Sequence, residues 1–315
     1  MRIAIFGAGA VGSYLAAKLI KSSNHEVFLI ARGAHLEALK SKGLTITSIN
    51  GDFHLKTINA TENPSDIGPV DTILLTVKGE MVLEAAKNIG PLVKNDTAIL
   101  PLQNGVESPE IIKRIIKGDH VLGGMCRIFS TIAKPGEINH FGSEPLVVLG
   151  ELDGEESERV VKIRDSLLDS HIKSYISDNI HRTMWEKLLF VGPIGCLGAV
   201  TRAPLGVILN NPETRKLLIS LMEEIYEVAR KKLIPLKKSI IKESLDYAEN
   251  SPPNATSSMQ RDIIEGNPSE LETQTGVIRR LGKILKVETP AHDHIYSALL
   301  PMELKARGEV VFPEI

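Results

Sequence analysis

The first half of the chain alternates between continuous apolar runs and helical patterns. Runs rich in Ile, Val and Leu occupy residues 2–6, 27–31, 71–77 and 97–102. Because these runs do not alternate with polar positions, they are typical of parallel strands that are buried on both faces. Apolar positions with the helical period lie between them, for example at 11–22 and 80–89. The alternation predicts an α/β domain with a doubly wound parallel sheet.

Shorter segments between and after these strands predict additional β-structure. Residues 44–57 contain two apolar stretches on either side of Gly51-Asp52, which predicts a hairpin inserted in the same sheet. Further strand candidates lie at 121–129, 146–149 and 172–176.

After Asp178 the helical period is the only pattern. Two apolar stripes carry it, namely Ile180, Met184, Leu188 and Val191, and then Leu217, Leu221, Ile225 and Val228. The glycine-rich stretch 188–201 predicts a buried, irregular helical segment. We therefore expect an all-helical second domain and divide the chain into 1–178 and 179–315.

Composition and charge remove several classes of protein. The 315 residues include 37 Lys plus Arg and 39 Asp plus Glu, so no basic excess suits a nucleic acid or an anionic membrane surface. Two cysteines make neither a disulfide framework nor a thiolate metal site, and no histidine set has metal-ligand spacing. The longest uncharged stretch, 188–201, is shorter than the roughly 20 residues of a membrane helix. We expect a cytoplasmic protein.

A glycine-rich loop joins the first strand to the first helix. It consists of Gly7, Ala8, Gly9, Ala10, Val11 and Gly12. Glycines at this spacing allow a tight turn, close approach of the backbone to a pyrophosphate, and close packing of helix on strand. The strand–loop–helix context predicts a dinucleotide site, and the alternative is a glycine-rich turn without a ligand.

The residue after the second strand bears on the choice between the two nicotinamide dinucleotides. NAD enzymes place an acid about 20 residues after the glycine loop, at the far end of that strand. Glu26 has this spacing but stands at the beginning of the strand, and Arg32 follows its far end. A guanidinium suits a 2′-phosphate, so the sequence favours NADPH. The alternative is that Arg32 is a solvated loop charge.

Two polar positions follow the later strands. Lys78 follows the strand at 71–77, and Asn104-Gly105 follows the strand at 97–102. Ligands of open parallel sheets bind outside the carboxyl ends of the strands. We therefore predict that Lys78, Asn104 and Gly9 meet in one polar pocket for the nicotinamide and a small anionic substrate. Taken alone, Asn104-Gly105 is typical of a turn, and Lys78 of a surface lysine.

Lys187 falls on an apolar stripe of a predicted helix. At 100° per residue it lies beside Met184, Leu188 and Val191. One explanation is that the stem packs while the ammonium reaches water. The other is a general acid that protonates or stabilises an oxyanion. Helix geometry alone does not separate the two.

Glu270 has a structural explanation from the sequence. Residues 267–270, Asn-Pro-Ser-Glu, have the form of a helix-capping box in which the carboxylate bonds back to the cap. Ser257, Ser258 and Asp262 precede this segment, which places a polar cluster in the second domain.

The chain resembles the ketopantoate reductases (2-dehydropantoate 2-reductases) over nearly its whole length. The resembling blocks are Ile5 to Gly12, Arg32, Thr76-Val77-Lys78, Gln103-Asn104-Gly105, Trp185-Glu186-Lys187-Leu188, and Ser257-Ser258-Met259 followed by Asp262, Gly266 and Glu270. The resemblance implies an N-terminal Rossmann domain, an all-helical C-terminal domain, and NADPH-dependent reduction of a 2-oxo acid. It also implies that Lys187 is the general acid and that Glu270 binds the substrate hydroxyl. Ser258, Lys78 and Asn104 would contact the substrate or the nicotinamide.

The sequence departs from the family on the substrate side. The family usually presents asparagines one and two helical turns after the lysine, where this chain has Val191 and Gly195. It also has Ala255 where the family often has a polar residue. Each lost hydrogen bond to a substrate is worth about 0.5–1.5 kcal/mol, and more where charge is involved.

Two functional hypotheses follow. The first is an enzyme that reduces ketopantoate to pantoate, for pantothenate and coenzyme A synthesis, or reduces a different 2-oxo acid. The second is a protein that binds NADPH without chemistry, since fold does not fix function. The sequence is compatible with a monomer or a homodimer.

Overall fold

A computed structural model describes residues 1–22 and 24–313. The chain folds into two compact units. The N-terminal unit contains Met1–Gln103 and Glu107–Thr183, and the C-terminal unit contains Asn104–Val106 and the chain from Met184 onward. The division at 178/179 into domains stays our prediction.

The N-terminal unit is α/β. Its strands and helices are β1 (Arg2–Phe6), α1 (Ala10–Lys21), β2 (Glu26–Ile30), α2 (Gly33–Lys42), β3 (Leu44–Ser48), β4 (Phe53–Leu55), β5 (Asn59–Thr61), β6 (Thr72–Leu75), α3 (Val82–Asn88), β7 (Ala98–Pro101), α4 (Ser108–Ile115), β8 (Gly123–Lys134), β9 (Glu137–Gly150), α5 (Glu158–Asp169) and β10 (Lys173–Ile176). Short 3₁₀ turns lie at Pro64–Asp66, Gly79–Met81 and Gly90–Leu92.

The first sheet has the strand order β5-β2-β1-β6-β7, and its paired strands are parallel. Ile3 and Ile5 of β1 belong to the core on one face, whereas Ala4 and Phe6 belong to the core on the other. Both faces are therefore buried, as the continuous apolar runs predict. The register sets Phe6 beside Ile30 and Leu75, so the carboxyl ends of β1, β2 and β6 lie together.

The predicted hairpin at 44–57 exists but lies in a second sheet, so its placement in the first sheet was wrong. β3 pairs antiparallel with β4 and parallel with β9. Leu44 and Ile46 of β3 share a core with Leu15 and Leu19 of α1, which also packs on the first sheet. The partner strand β9 lies about 90 residues further along the chain, and local patterns do not encode such a pairing.

Strands β8 and β9 form one long antiparallel hairpin. The sequence predicted two shorter, separate strands at 121–129 and 146–149. Gly136, with φ +80°, stands in the tight connection between Lys134 and Glu137. In the outer halves of both strands exposed positions interrupt the apolar ones, which is why the sequence did not reveal them.

The C-terminal unit is helical. The helices from Ile180 onward are α6 (Ile180–Thr201), α7 (Leu205–Asn210), α8 (Pro212–Lys231), α9 (Ile240–Glu249), α10 (Ser258–Glu265), α11 (Val277–Leu285) and α12 (Pro290–Ala306), and a π-helical turn, Glu272–Gly276, precedes α11. This architecture confirms the predicted fold class of a parallel α/β sheet followed by a helical region.

Helix α6 continues through the stretch that the sequence predicted as irregular, although Pro193 lies inside it. A Cβ at Gly195 would lie 2.8 Å from Met259 Cε, and one at Gly198 would lie 2.5 Å from Gln260 Oε1. The glycines therefore let α10 approach α6 closely. This packing outweighs the weak helix propensity of glycine and proline.

None of the helices in residues 1–22 and 24–313 combines the length and the apolar character that crossing a membrane requires.

Candidate active site

The glycine loop links β1 to α1, and two of its glycines are required by the fold itself. Gly7 has φ +106°, and a Cβ there would lie 2.6 Å from the backbone nitrogen of Val77. A Cβ at Gly12 would overlap the Gly7 carbonyl oxygen and lie 2.5 Å from Thr76 Oγ1. Thr76 Oγ1 donates a hydrogen bond to the same carbonyl at 2.7 Å. These residues bind the loop tightly to the end of β6.

Gly9 is different, because nothing in the described chain requires a glycine there. Its φ is −75°, which any residue adopts, and its ideal Cβ has no described atom within 4 Å. It is the N-cap residue of α1, and no described side chain caps that helix end. An open backbone at an uncapped helix N-terminus suits a pyrophosphate, and the N–H groups of Ala10, Val11 and Gly12 would hold its oxygens. The loop therefore fits a dinucleotide.

A hydrogen-bond relay from Gly136 through His35 and Ser13 to Ala8 lies behind this loop, and the sequence reasoning missed it. Gly136 donates its N–H to His35 Nδ1 at 3.2 Å, so the neutral ring carries its proton on Nε2, which faces Ser13 Oγ at 3.1 Å. Ser13 donates onward to the carbonyl oxygen of Ala8 at 3.0 Å. Burial lowers the pKa of His35, which favours the neutral ring that this relay needs. No local motif links residues so far apart in sequence.

Arg32 lies at the carboxyl end of β2, at the N-cap of α2. Its guanidinium lies 3.7 Å from the carboxylate of Glu62, which follows β5. The two side chains are 59% and 62% exposed, so this ion pair is worth about 0–1 kcal/mol. A phosphate dianion in bidentate contact is a stronger partner for the guanidinium. Sequence reasoning did not foresee Glu62.

Lys78 is exposed and follows β6, next to the segment on which the glycine loop packs. Gln103, at the end of the neighbouring β7, donates to the carbonyl oxygens of Leu75 and Val77 at 2.6 and 3.2 Å. This contact fixes the backbone that presents Lys78. Lys78 and Gly9 thus belong to the N-terminal unit, whereas Asn104 belongs to the C-terminal unit. Their predicted meeting in one pocket stays a prediction.

Asn104 and Gly105 form a turn that lies on the π-helical segment. Gly105 has φ +115°, and a Cβ there would lie 2.9 Å from the carbonyl oxygen of Thr273. Only glycine allows this approach. The adjacent Asn104 donates its Nδ2 to Glu270 Oε2 at 2.8 Å. The turn thus brings together two predicted site residues that are 166 positions apart.

The predicted capping box at 267–270 was wrong. The helical segment begins at Leu271, whose N–H bonds to Ser269 Oγ at 3.2 Å, and Asn267 donates its N–H to the carbonyl oxygen of Asp262 in the last turn of α10. Gly266, in the left-handed region at φ +74°, ends α10 and moves the next helix start past Pro268. Glu270 therefore precedes the helix, and its carboxylate bonds to side chains instead of to a cap.

The Glu270 carboxylate lies in a buried amide cluster. Glu270 is 7% exposed and Gln274 is 2% exposed. Gln274 Nε2 donates to Glu270 Oε2 at 2.9 Å, so the same oxygen accepts from both Gln274 and Asn104. Sequence reasoning missed Gln274. The signal was its four-residue spacing from Glu270, which has meaning only when the helix start is known.

Lys187 lies on α6 in the same unit and is half-buried between the buried residues Met184 and Leu188. This position is compatible with both explanations offered from the sequence. One turn on, Val191 is partly exposed. One further turn on, Met259 Cε and Ser257 Oγ close the space beside Gly195 at 2.8 and 3.1 Å from its ideal Cβ.

Ser258 is the exposed first residue of α10. The preceding Ser257 caps the helix, because its Oγ accepts from the Gln260 N–H at 3.0 Å. The cap explains Ser257, and a substrate role for Ser258 stays a prediction. Across residues 1–22 and 24–313, no group of three or more His, Cys, Asp and Glu is placed to hold a metal ion.

Comparisons with known families match both halves of the chain. Residues 3–154 match the family model described as ketopantoate reductase PanE/ApbA, and residues 179–303 match its C-terminal model. The fold and these matches define an oxidoreductase with an α/β N-terminal domain and a helical C-terminal domain. The chain belongs to the PanE/ApbA ketopantoate reductase family.

Individual relatives share about a quarter of their residues with this chain. The uncharacterized oxidoreductase YkpB of Bacillus subtilis (strain 168) is 29% identical, over 95% of this chain and 98% of its own. A 2-dehydropantoate 2-reductase from Geobacter metallireducens GS-15 is 28% identical with a TM-score of 0.89, covering 96% of this chain and 99% of its own. D-mandelate dehydrogenase with NADH and anilino(oxo)acetate is 25% identical with a TM-score of 0.88, covering 98% and 99%.

Proposed function

We propose that this protein reduces a 2-oxo acid with NADPH, with 2-dehydropantoate as the substrate and pantoate as the product. The observation that carries the proposal is the Asn104–Glu270 contact, which forms a buried polar site in the unit that also holds Lys187. A carboxylate and an ammonium are the groups that a substrate with a hydroxyl and a developing alkoxide requires.

Each residue has a distinct task in the proposed reaction. Bound NADPH supplies the hydride that reduces the 2-oxo carbon. The Lys187 ammonium donates a proton to the carbonyl oxygen, so that the product is a neutral alcohol and the lysine is reprotonated from solvent. Glu270, held by Asn104, accepts a hydrogen bond from the substrate hydroxyl. Lys78 and Ser258 contact the nicotinamide or the substrate.

NADPH is proposed over NADH because of Arg32. Its exposed guanidinium at the end of β2 supports this preference, because an arginine at that position suits a 2′-phosphate on the adenosine ribose. The similar D-mandelate dehydrogenase was solved with NADH, and the ratio of kcat/KM for NADPH over NADH tests the preference in this chain. We further propose a cytoplasmic enzyme that contributes pantoate to pantothenate and coenzyme A synthesis.

The residues one and two helical turns after Lys187 favour a second substrate, and we call them the wall beyond Lys187. Val191 offers a methyl surface one turn after the lysine, and Met259 and Ser257 fill the space beside Gly195. The usual asparagines of the family are absent at both positions. This wall suits a 2-oxo acid that lacks the terminal hydroxyl of 2-dehydropantoate.

Two substrates that differ in one group separate these candidates. 2-Dehydropantoate is 4-hydroxy-3,3-dimethyl-2-oxobutanoate, and 3,3-dimethyl-2-oxobutanoate lacks only the hydroxyl. We expect NADPH oxidation with 2-dehydropantoate, and Val191→Asn to shift the ratio of the two kcat/KM values towards it by about 10-fold. A higher kcat/KM for the substrate without the hydroxyl would favour the second candidate. No turnover with either, or with a wider panel of 2-oxo acids, would favour a protein that binds NADPH without chemistry.

A further inference from the structure

We propose that Gln274 is a positioning residue, which fixes the orientation of the Glu270 carboxylate for the substrate. The inference rests on the proposed function, because it takes Glu270 as the carboxylate that binds the substrate. The contact itself is direct, since Gln274 Nε2 lies 2.9 Å from Glu270 Oε2.

Two amide donors meet at one carboxylate oxygen. Asn104 Nδ2 and Gln274 Nε2 approach Oε2 at 2.8 and 2.9 Å from different segments of the chain. An ionised carboxylate only accepts hydrogen bonds, so both amides must present their NH₂ groups to it. Two donors at one oxygen restrict the rotation of the carboxylate plane more than a single donor does.

The backbone beneath Glu270 is held independently of Gln274. Ser269 donates its N–H to Glu303 Oε1 at 3.0 Å, and Glu303 is 5% exposed. Arg307 pairs with Glu303 at 2.6 Å and donates to the Ser269 carbonyl oxygen at 3.1 Å. These bonds fix the backbone at Ser269, so the torsion angles of the Glu270 side chain are what Gln274 can restrict. Its hydrogen bond to the carboxylate restricts them.

The backbone at the start of the π-helical turn sets the position of Gln274 relative to Glu270. Gln274 lies within Glu272–Gly276, and its backbone N–H bonds to the Glu270 carbonyl oxygen at 3.0 Å. Side chain and main chain of Gln274 therefore both bind the same residue. This four-residue spacing is that of an α-helical turn, which sets the two side chains on the same face.

Gln260 shows what a merely structural buried glutamine looks like in the same unit. It is also 2% exposed, and its Nε2 donates to the backbone carbonyl oxygen of Ala203 at 3.0 Å. It has the same size and burial and also donates from its amide, but it contacts no predicted site residue through that donor. Gln260→Met is therefore the matched control for Gln274→Met.

The kinetic test compares Gln274→Met, Gln274→Glu and Gln260→Met with the unchanged protein. We expect Gln274→Met to lower kcat/KM for the 2-oxo acid by about 10- to 100-fold, the effect of losing a hydrogen bond to a charged group. The Kd for NADPH should stay within about twofold of that of the unchanged protein, and the melting temperature should match that of Gln260→Met. Equal losses of kcat/KM in Gln274→Met and Gln260→Met would overturn the proposal.

The pH profile provides a signature that a packing defect does not produce. At high pH the carboxylate introduced by Gln274→Glu repels Glu270, whereas at low pH the protonated group donates to it and restores the contact. The deficit of Gln274→Glu relative to the unchanged protein should therefore shrink as the pH falls, and that of Gln274→Met should not. Parallel profiles for the two variants would contradict the assignment.

Crystal structures of the variants give a readout that does not depend on turnover. A Glu270 carboxylate rotated away from Asn104 in Gln274→Met, but not in Gln260→Met, supports the positioning role. An unmoved carboxylate overturns it. If the unchanged protein reduces no 2-oxo acid, the proposed function fails, and the crystal structures still decide what Gln274 does.

Discussion

The candidate residues of the two units differ in their exposure and in how far apart they lie along the chain. In the N-terminal unit the glycine loop is one continuous segment, and the cationic residues Arg32 and Lys78 are exposed. In the C-terminal unit Asn104 comes from a segment far along the chain from Glu270 and Gln274, and the last two are buried. A phosphorylated cofactor is held by backbone N–H groups and surface charge, which need little support. Choosing among small acids needs buried polar groups with fixed partners, because an unpaired one is costly.

The largest expected effect separates the chemistry from cofactor binding. Lys187→Ala should lower kcat by about 10²- to 10⁴-fold, the usual contribution of a general acid, with little change in the Kd for NADPH. Stopped-flow turnover and fluorescence titration measure the two quantities. Lys216→Ala, which removes an exposed lysine of α8, is the control. An unchanged kcat in Lys187→Ala would remove this lysine from the mechanism.

The glycine loop offers a matched pair that separates fold from ligand. Gly12→Ala should cost about 3 kcal/mol of unfolding free energy, because its Cβ overlaps the Gly7 carbonyl. Gly9→Ala should cost less than about 1 kcal/mol, since its Cβ meets no described atom, and should weaken NADPH binding by about 10-fold or more. Urea unfolding and Kd measurements check both. The distinction fails if Gly9→Ala binds NADPH normally.

Cofactor preference should depend on the exposed pair at the ends of β2 and β5. Arg32→Ala should lower the ratio of kcat/KM for NADPH over NADH by about 10-fold, because it would remove the proposed charge-assisted contact to the 2′-phosphate. Glu62→Gln should raise the ratio by up to about fivefold, since it frees Arg32 from a weak partner. Steady-state kinetics with both cofactors measures the ratio. An unchanged ratio in Arg32→Ala would make this arginine a solvated loop charge.

The smallest expected effect is an acid sensitivity that originates in the N-terminal unit. Burial lowers the pKa of His25, His35 and His140 below their ordinary value of 6.5. The unfolded chain therefore takes up protons first as the pH falls. The stability that these neutral rings contribute is present above about pH 6.5 and is lost as the pH falls through the lowered folded values.

His35 provides the test of this acid sensitivity. Between pH 7.5 and 5.5, His35→Gln should lose less unfolding free energy than the unchanged protein, because its uncharged amide does not take up a proton on unfolding. The exposed His54 supplies the control variant His54→Gln. Equal pH dependence in the two variants, measured by urea unfolding, would show that His35 does not contribute.

Four strands of the first sheet, β1, β2, β6 and β7, were predictable because their signals are local, whereas the short edge strand β5 was missed. A run such as 71–77 is buried on both faces wherever its neighbours lie, so its pattern alone indicates a strand. The second sheet was not predictable, because β3 is stabilised by β9, a partner far along the chain. Helix α6 was underestimated for a similar reason. Its glycines are unfavourable by themselves and become useful only when α10 packs against them.

Glu270 shows the same division within the candidate site. Its segment has the letters of a capping box, yet the left-handed Gly266 ends α10 so that the next helix starts at Leu271. A shift of three residues in a helix start changes a capping carboxylate into one that binds side chains. Local sequence reasoning has limited accuracy at such boundaries.

The sequence by itself determined the alternation of strands and helices, the glycine loop and the position of Arg32, because each depends on residues that are neighbours in the chain. Only the tertiary structure decided that Asn104 and Gln274 bind the same oxygen of Glu270, and that Gly9 faces open space while Gly7 and Gly12 do not. These facts depend on contacts between distant segments. Such contacts form only when the burial of the whole core outweighs the entropy of ordering the chain.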